Sequence, residues 1–207
     1  MPTLYYTPES RATRIIAQLM IMGKLDEVTV INVDVVRNDG SGRVDPSNAH
    51  PEGKVPYLIT DDSEHIRESA AIMMYLDELY GCPLGIAAGQ PGRGEFLSWM
   101  SYYCGVLEPA MVMHFGEIDH PIMVGNFRTM KEVGDHIVTG LGDKSFLIGD
   151  KMTVADLIMA SAFQWAPHLT PDYDTVKAWL KRVGEAIDGP ALQAYETHAK
   201  DALMAAA

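Results

Sequence analysis

The sequence predicts an α/β domain followed by an all-helical domain, and three observations carry this prediction. Strand-like alternation of apolar and polar residues is confined to residues 1–80, where it is interleaved with two helical patterns. Residues 81–93 are rich in glycine and proline, which is typical of a linker. Residues 94–207 carry apolar stripes at helical spacing and no strand pattern, so we expect a helical bundle there.

A strand, a helix and a second strand are predicted first. Residues 3–6 form a short run that favours a strand. Ser10 is expected to cap the following helix, and Gly23 is expected to end it. Residues 28–35 alternate and contain β-branched side chains, which predicts the second strand. The apolar stripe of the intervening helix consists of Ile15, Ile16, Leu19 and Met20.

A hairpin and a second helix are predicted next. Residues 38–53 are rich in Gly, Asp, Asn and Pro, so we expect a loop there. Residues 57–59 and 65–67 favour two paired strands around a polar turn, and residues 69–80 have apolar side chains at helical spacing. The resulting order, βαβ followed by ββα, is the arrangement of thioredoxin-like domains.

Helical periodicity is clearest in three stretches of the second half. A long helix is expected over about residues 94–114, and Pro109 within it predicts a kink because its ring clashes with the preceding turn. Two further helices are predicted from their apolar stripes. The first stripe is Val154, Leu157, Ile158, Ser161 and Trp165, and the second is Val176, Trp179, Leu180, Val183 and Ile187.

Composition and charge restrict the classes of function. With 47% apolar and 21% charged residues, the chain can bury a core. The net charge of −12 is divided evenly between residues 1–80 and 81–207, so neither nucleic acid nor an anionic membrane is an expected partner. Residues 1–10 lack the basic flank and apolar run of a signal peptide, and no apolar run of about 20 residues occurs, so neither a secretion signal nor a membrane span is expected. Cys82 and Cys104 are too few for a disulfide scaffold, so a cytoplasmic location is expected.

The most informative motif pairs Lys54-Val55-Pro56 with Glu68-Ser69 a dozen residues later. Pro56 lacks a backbone donor and therefore fits the first residue of a strand. Ser69 lies at a helix N-terminus, where free amides and partial positive charge favour a carboxylate, and the adjacent Glu68 can take an ammonium group. The pattern fits a zwitterionic ligand, although ordinary strand entry and helix capping would look the same.

A second motif lies in the helical half, at residues 149–156. Thr153 is placed to cap a helix, and Asp156, three residues later, is placed to return the bond. This reciprocal pair is a capping box, with Asp where Glu or Gln is more usual. Asp156 is therefore interpreted as structural rather than catalytic.

Together the two motifs resemble the cytosolic glutathione transferase superfamily, in a bacterial-like and serine-type form, over nearly the whole chain. The resemblance implies glutathione as co-substrate, a cis peptide bond before Pro56, and a detoxifying transferase that forms a C2 homodimer. It assigns Lys54 to the glycyl carboxylate of glutathione, Val55 to its peptide backbone, and Glu68 with Ser69 to its γ-glutamyl end.

The catalytic step needs a group that stabilises the glutathione thiolate. A thiol with a pKa of about 8.5 is only a few per cent ionised at neutral pH. Ser10 is the leading candidate, because its spacing to Arg14 resembles the pattern of the serine-type classes. Tyr6, at the end of the first strand, is the alternative, and backbone amides at the helix start are a third. Arg11 is assigned to glutathione binding because it can donate to the thiolate.

The site of the electrophile is less clearly marked. Tyr103 and Met113 are predicted to line an apolar pocket, and Tyr102 to donate its hydroxyl to a leaving group, but ordinary core packing would give the same pattern. No metal is expected, since His114 and Glu117 form only a weak pair. The leading function is conjugation of glutathione to an apolar electrophile. Peroxide reduction, dehalogenation, ether cleavage, isomerisation and a non-catalytic role are the alternatives.

Overall fold

The computed structural model describes residues 1–205, which form two compact units. The first unit contains residues 1–76 and the C-terminal segment that begins at Ile187, and the second unit contains residues 77–186. The strands are β1 (Thr3–Tyr6), β2 (Thr29–Asn32), β3 (Tyr57–Ile59) and β4 (His65–Ile66). The α-helices are α1 (Thr13–Met22), α2 (Ser69–Leu79), α3 (Arg93–Tyr102), α4 (Glu108–Phe115), α5 (Pro121–Asn126), α6 (Met130–Leu141), α7 (Val154–Trp165), α8 (Asp174–Glu185) and α9 (Gly189–Ala205).

The four described strands form one mixed sheet in the order β2-β1-β3-β4. β1 pairs in parallel with β2 and antiparallel with β3, and β3 pairs antiparallel with β4. This arrangement confirms the predicted βαβ–ββα order. β2 is shorter than the predicted strand over residues 28–35. After Val33, the backbone amides of Asp34 and Val35 bind the side-chain carboxylates of Asp45 and Asp34, so they leave the ladder.

The first helix begins later than the sequence predicts. α1 starts at Thr13 with Ala12 as the cap residue, so Ser10 is not its N-cap. The Ser10 hydroxyl instead donates to the carbonyl of Thr7 and accepts from the N–H of Ala12, which holds it in the preceding turn. The predicted stop is confirmed, because Gly23 adopts a left-handed conformation with φ of 65° that most other residues disfavour.

The sheet of the first unit is covered on both faces. Tyr6 and Leu4 are fully buried on one face, and Tyr5 packs on the other face with Val33 and Tyr57. Tyr5 and Tyr6 therefore point to opposite faces, as alternation in a strand requires, yet both are buried.

The C-terminal helix belongs to the first unit by its packing. α9 contacts α1, and the side-chain amide of Asn32 on β2 donates to the carbonyl of Ala199 on α9 at 2.6 Å. This grouping differs from the sequence-based division, which assigns all of residues 94–207 to the helical domain. Helical periodicity identifies α9 as a helix but carries no information about which unit it packs against.

In the second unit, α3 and α4 are joined by a π-helical turn at Tyr103–Leu107. This wider turn ends two residues before Pro109, where a kink was predicted. Proline cannot donate to the carbonyl four residues earlier, and its ring crowds that carbonyl, so a wider turn accommodates it without breaking the helix. Buried contacts between α3 and α7, α6 and α8, and α7 and α8 build the core of this unit.

The predicted apolar stripes are correct except at their ends. Trp165 is the last residue of α7 and is 70% exposed, whereas Phe163 is buried. Trp165 therefore lies at the exposed end of the helix and does not continue the buried stripe. Ile187 lies beyond the end of α8 at Glu185, so it does not belong to that helix.

The capping box of α7 is the centre of a buried hydrogen-bond network. Asp156 is fully buried and accepts bonds from the backbone N–H and the hydroxyl of Thr153 at 2.8 and 2.9 Å. It also accepts from the N–H of Leu147 and from the indole N–H of Trp179, at 2.8 and 2.9 Å. Burial raises the pKa of Asp156, and these hydrogen bonds oppose the rise. The carboxylate thus joins the start of α7 to α8.

Replacing Asp156 by alanine should strongly destabilise the protein. The substitution leaves buried donors without an acceptor, and each costs about 1–3 kcal/mol, so we expect a loss above about 3 kcal/mol. The measurement is urea unfolding of the full chain. Glu132→Ala is the matched control, because Glu132 forms the same capping box with Thr129 on the exposed start of α6. Equal losses in the two variants would contradict the importance of burial.

Candidate functional site

Three segments of the first unit meet at one edge of the sheet, namely the edge where β1 and β4 end and β3 begins. The antiparallel register pairs Tyr5 near the end of β1 with Tyr57 at the start of β3. It also pairs Ile66 at the end of β4 with Leu58 of β3. The turn after β1, the residues before β3 and the residues after β4 therefore emerge side by side. These segments contain the candidate residues Ser10 and Arg11, then Lys54, Val55 and Pro56, then Glu68 and Ser69.

The turn between β1 and α1 carries Ser10. The Ser10 hydroxyl donates to the Thr7 carbonyl at 2.6 Å and accepts from the Ala12 N–H at 3.1 Å. Ser10 is half-buried, and the side chain of Arg11 next to it is exposed. Glu9 has a φ of 55°, a left-handed conformation that is uncommon for a residue with a side chain. Specific hydrogen bonds therefore hold the turn in a conformation that the backbone of Glu9 intrinsically disfavours.

Glu196 of α9 holds the turn between β1 and α1 in place through hydrogen bonds. Its carboxylate accepts hydrogen bonds from the hydroxyl of Tyr6, from the N–H of Glu9 at 2.5 Å and from the hydroxyl of Thr13 at 2.8 Å. Burial raises the pKa of Tyr6, and the hydrogen bond to Glu196 adds to the rise. The Tyr6 hydroxyl is therefore held as a neutral donor inside the core.

One turn further along α9, Lys200 contacts the same segment. Its ammonium lies 2.9 and 3.0 Å from the two carboxylate oxygens of Glu9. A cleft of about 370 Å³ opens beside this pair. Glu196 and Lys200 were not predicted from the sequence, because they lie about 190 residues from the turn and no local pattern links them to it. The cleft is lined by Pro8, Glu9, Asp34, Arg37, Ser41, Gly42, Lys200, Leu203 and Met204.

The segment before β3 presents Lys54 at the same edge. The Val55–Pro56 peptide bond is cis, the geometry that the resemblance implies. Lys54 is exposed, and its carbonyl accepts from the side-chain amide of Asn48 at 3.2 Å. Nδ1 of His50 accepts from a backbone N–H at 3.0 Å, and burial lowers the pKa of His50. His50 is thus a neutral structural acceptor that shapes this loop.

Glu68 and Ser69 lie at the start of α2. Glu68 has a φ of 72°, and its carbonyl accepts the N–H of Ile72 at 3.0 Å, so it occupies the position just before the helix. Its side chain is exposed. Ser69 is the first residue of α2 and is 8% exposed. An exposed cation, Lys54, and an exposed anion, Glu68, therefore stand at the same edge of the sheet, next to a helix N-terminus.

The second unit holds the residues predicted to receive the electrophile. Tyr102 is half-buried and stacks on His136, with ring centroids 4.5 Å apart, and burial raises its pKa. Tyr103 is 3% exposed, which places it in the core of this unit, and Met113 is half-buried.

An aromatic cluster in the second unit is more accessible than the predicted pocket residues. The ring centroid of Phe115 lies 5.4 Å from that of Trp165 and 5.8 Å from that of His168. Phe115 is 45% exposed and Trp165 is 70% exposed. The cluster offers an apolar surface that sequence periodicity did not identify, because Trp165 was assigned to a buried stripe.

The described part of the chain holds neither a metal-binding cluster nor a helix suited to crossing a membrane. Within residues 1–205, His, Cys, Asp and Glu do not gather in groups of three or more that could hold a metal ion. Over the same range, none of the helices combines the length and apolar character that crossing a bilayer requires.

The chain matches known families and proteins over most of its length. Residues 4–88 match the family model of the glutathione S-transferase N-terminal domain, and residues 106–185 match that of the C-terminal domain. Glutathione S-transferase GstA of Escherichia coli O157:H7 is 24% identical over 165 residues, which cover 79% of this chain and 81% of that protein. Glutathione S-transferase D7 of Drosophila melanogaster is 24% identical over 192 residues, or 88% and 82% of the two chains.

Solved structures share the fold over nearly the full length. A glutathione S-transferase from Actinobacillus pleuropneumoniae superposes with a TM-score of 0.74 at 21% identity, covering 97% of this chain and 93% of that one. A sphingomonad glutathione S-transferase complexed with glutathione superposes with a TM-score of 0.69 at 22% identity, covering 96% and 98%.

Proposed function

The chain belongs to the glutathione S-transferase superfamily, and we propose that its first unit binds glutathione at the sheet edge formed by residues 7–12, 54–56 and 67–69. The protein is a transferase in this proposal: it stabilises the glutathione thiolate and conjugates it to an apolar electrophile. The observation that carries the proposal is the juxtaposition of Ser10, Lys54 and Glu68 at one edge by the strand register. The relatives are named transferases, which favours conjugation over the alternative reactions and over a non-catalytic role.

The charges at this edge complement those of glutathione. The tripeptide carries an ammonium and a carboxylate at its γ-glutamyl end and a second carboxylate at its glycyl end. Glu68 is placed to bind the ammonium, and Ser69 with the start of α2 to bind the adjacent carboxylate. Lys54 is placed to bind the glycyl carboxylate, and the backbone of Val55 to pair with the peptide. The left-handed conformation of Glu68 supports this role, because such residues cluster at binding sites.

Ser10 is the proposed activator of the thiol. Lowering the pKa of the thiol by two units requires about 2.7 kcal/mol of differential stabilisation. A hydrogen bond to a charged acceptor supplies about 1.5–3 kcal/mol, so one hydroxyl accounts for most of this requirement. The Ser10 hydroxyl would turn from the Thr7 carbonyl to the sulfur, with Arg11 in the same turn adding positive charge. Tyr6 is the weaker candidate, because it is fully buried and bonded to Glu196.

The electrophile is proposed to bind apolar surface of the second unit. Tyr102, Tyr103 and Met113 stay the predicted lining, although Tyr103 is buried and the ring of Tyr102 is stacked on His136. The exposed rings of Phe115 and Trp165 add apolar area in the same unit. Aromatic side chains of this kind suit a flat apolar electrophile.

A C2 homodimer in the cytoplasm is the proposed assembly and location. The superfamily supports the dimer, and the small number of cysteines supports the cytoplasmic location. Sedimentation of the full chain at micromolar concentration should give twice the chain mass, and a single-chain mass would contradict the dimer.

Substitution of Glu68 and Ser69 tests the binding site. Glu68→Ala and Ser69→Ala should each weaken glutathione binding about tenfold or more, because each leaves a charged head group without its partner. The measurement is titration calorimetry with glutathione. Glu64→Ala is the matched control, since Glu64 is an exposed glutamate in the turn at the opposite edge of the sheet. If both variants bind as tightly as the wild type, glutathione binds elsewhere.

The pH profile of activity separates Ser10 from Tyr6. Ser10→Ala should raise the pKa of the bound thiol, so kcat/KM near pH 7 should fall about ten- to a hundredfold. Activity should recover partly at high pH, where the thiol ionises without help. Tyr6→Phe should leave the profile close to that of the wild type. The assignment to Ser10 fails if Tyr6→Phe shifts the profile and Ser10→Ala does not.

A further inference from the structure

Glu196 is a buried carboxylate that faces the turn carrying Ser10. It is 7% exposed and lies on α9, far along the chain from the turn. Its partners come from three successive parts of that region: the end of β1 at Tyr6, the turn itself at Glu9, and the first turn of α1 at Thr13. A single carboxylate thus connects the strand, the turn and the helix that set the position of Ser10.

The bond to Glu9 has a particular consequence for the backbone. Glu9 directly precedes Ser10 and has a left-handed conformation that a residue with a side chain adopts only when its surroundings impose it. Glu196 binds the Glu9 N–H, and Lys200 binds the Glu9 carboxylate from the next turn of α9. The backbone N–H and the side-chain carboxylate of Glu9 are therefore both bound by residues on one face of α9.

We propose that Glu196 is a positioning residue, which fixes the turn over residues 7–12 so that the Ser10 hydroxyl points at the glutathione sulfur. This inference rests on the proposed function of the same site. Glu196 does not touch glutathione in this account; it acts through the backbone at Glu9. The C-terminal helix is thereby a component of the thiol-activating site and not only a cover for the sheet.

The ionisable groups around Glu196 come from β1, from the turn and from α9 itself. Tyr6 donates to it, and the ring of Tyr195 lies against that of Tyr6 at 5.7 Å. Lys200 and Glu9 form the neighbouring ion pair. Burial raises the pKa of both tyrosines, so neither loses its proton near neutral pH. The groups that donate hydrogen bonds to Glu196 therefore keep their protons over the pH range in which the enzyme works.

The test compares three variants of the full chain. Glu196→Ala removes the anchor, and Glu196→Gln keeps its volume but removes its charge. Asn32→Ala is the control, because it removes another contact of α9 with the sheet, the bond to Ala199, without touching the turn. For each variant we would measure the ultraviolet thiolate absorbance of the glutathione complex against pH, the affinity for glutathione, kcat, and hydrogen exchange over residues 7–13 without glutathione.

Glu196→Ala should raise the pKa of the bound thiol by about one unit and lower kcat near pH 7 about tenfold. Affinity for glutathione should change less than about threefold, because Lys54, Glu68 and Ser69 lie on other segments. Glu196→Gln should also raise the thiol pKa and lower kcat, but by less. If Glu196→Ala does not fold, Glu196→Gln alone is the test of the inference. Asn32→Ala should leave the thiol pKa and kcat unchanged.

Two results would overturn the inference. One is a wild-type thiol pKa and kcat in both Glu196 variants, and the other is an equal shift in Asn32→Ala, which would assign the effect to helix docking in general. Failure of the proposed function is distinguishable, because wild-type protein would then not bind glutathione. In that case, hydrogen exchange tests whether Glu196 fixes the turn. Faster exchange over residues 7–13 in Glu196→Ala than in Asn32→Ala supports the positioning role of Glu196, and equal exchange refutes that role.

Discussion

The antiparallel pairing of β3 with both β1 and β4 is the constraint on which the site depends. It places the end of β1, the start of β3 and the end of β4 at one edge of the sheet. Segments that are far apart in the sequence thereby become neighbours, and the exposed residues Lys54 and Glu68 come to lie at the same edge. A slip of one residue in either pairing would turn alternate side chains to the other face and dismantle this arrangement.

Unfavourable backbone conformations mark both ends of the proposed glutathione site. Glu9 precedes the proposed activator and Glu68 precedes the helix start, and both have left-handed φ values without being glycine. Such conformations persist only where surrounding contacts impose them. At Glu9 those contacts come from Glu196 and Lys200 of α9. The sheet determines where the proposed site lies, and α9 fixes the conformation of one of its turns.

Local patterns in the sequence predicted most of the fold and several residues of the proposed site. Gly23 as a helix stop and the pair Thr153 and Asp156 three residues apart are recognisable because the interaction lies within one turn of chain. The start of α1 was placed too early, since the Ser10 hydroxyl bonds the Thr7 carbonyl instead of a helical amide. Glu196 could not be found at all, because its partners lie across the fold and periodicity reports only that its helix exists.

A crystal structure of the complex with glutathione would show which group binds the sulfur. We expect the sulfur within hydrogen-bond distance of the Ser10 hydroxyl, the γ-glutamyl ammonium on Glu68, and the Tyr6 hydroxyl still bonded to Glu196. A sulfur that faces Tyr6, with Glu196 displaced from it, would rule out Ser10 as the activator, and a tripeptide bound away from this edge of the sheet would rule out the proposed site.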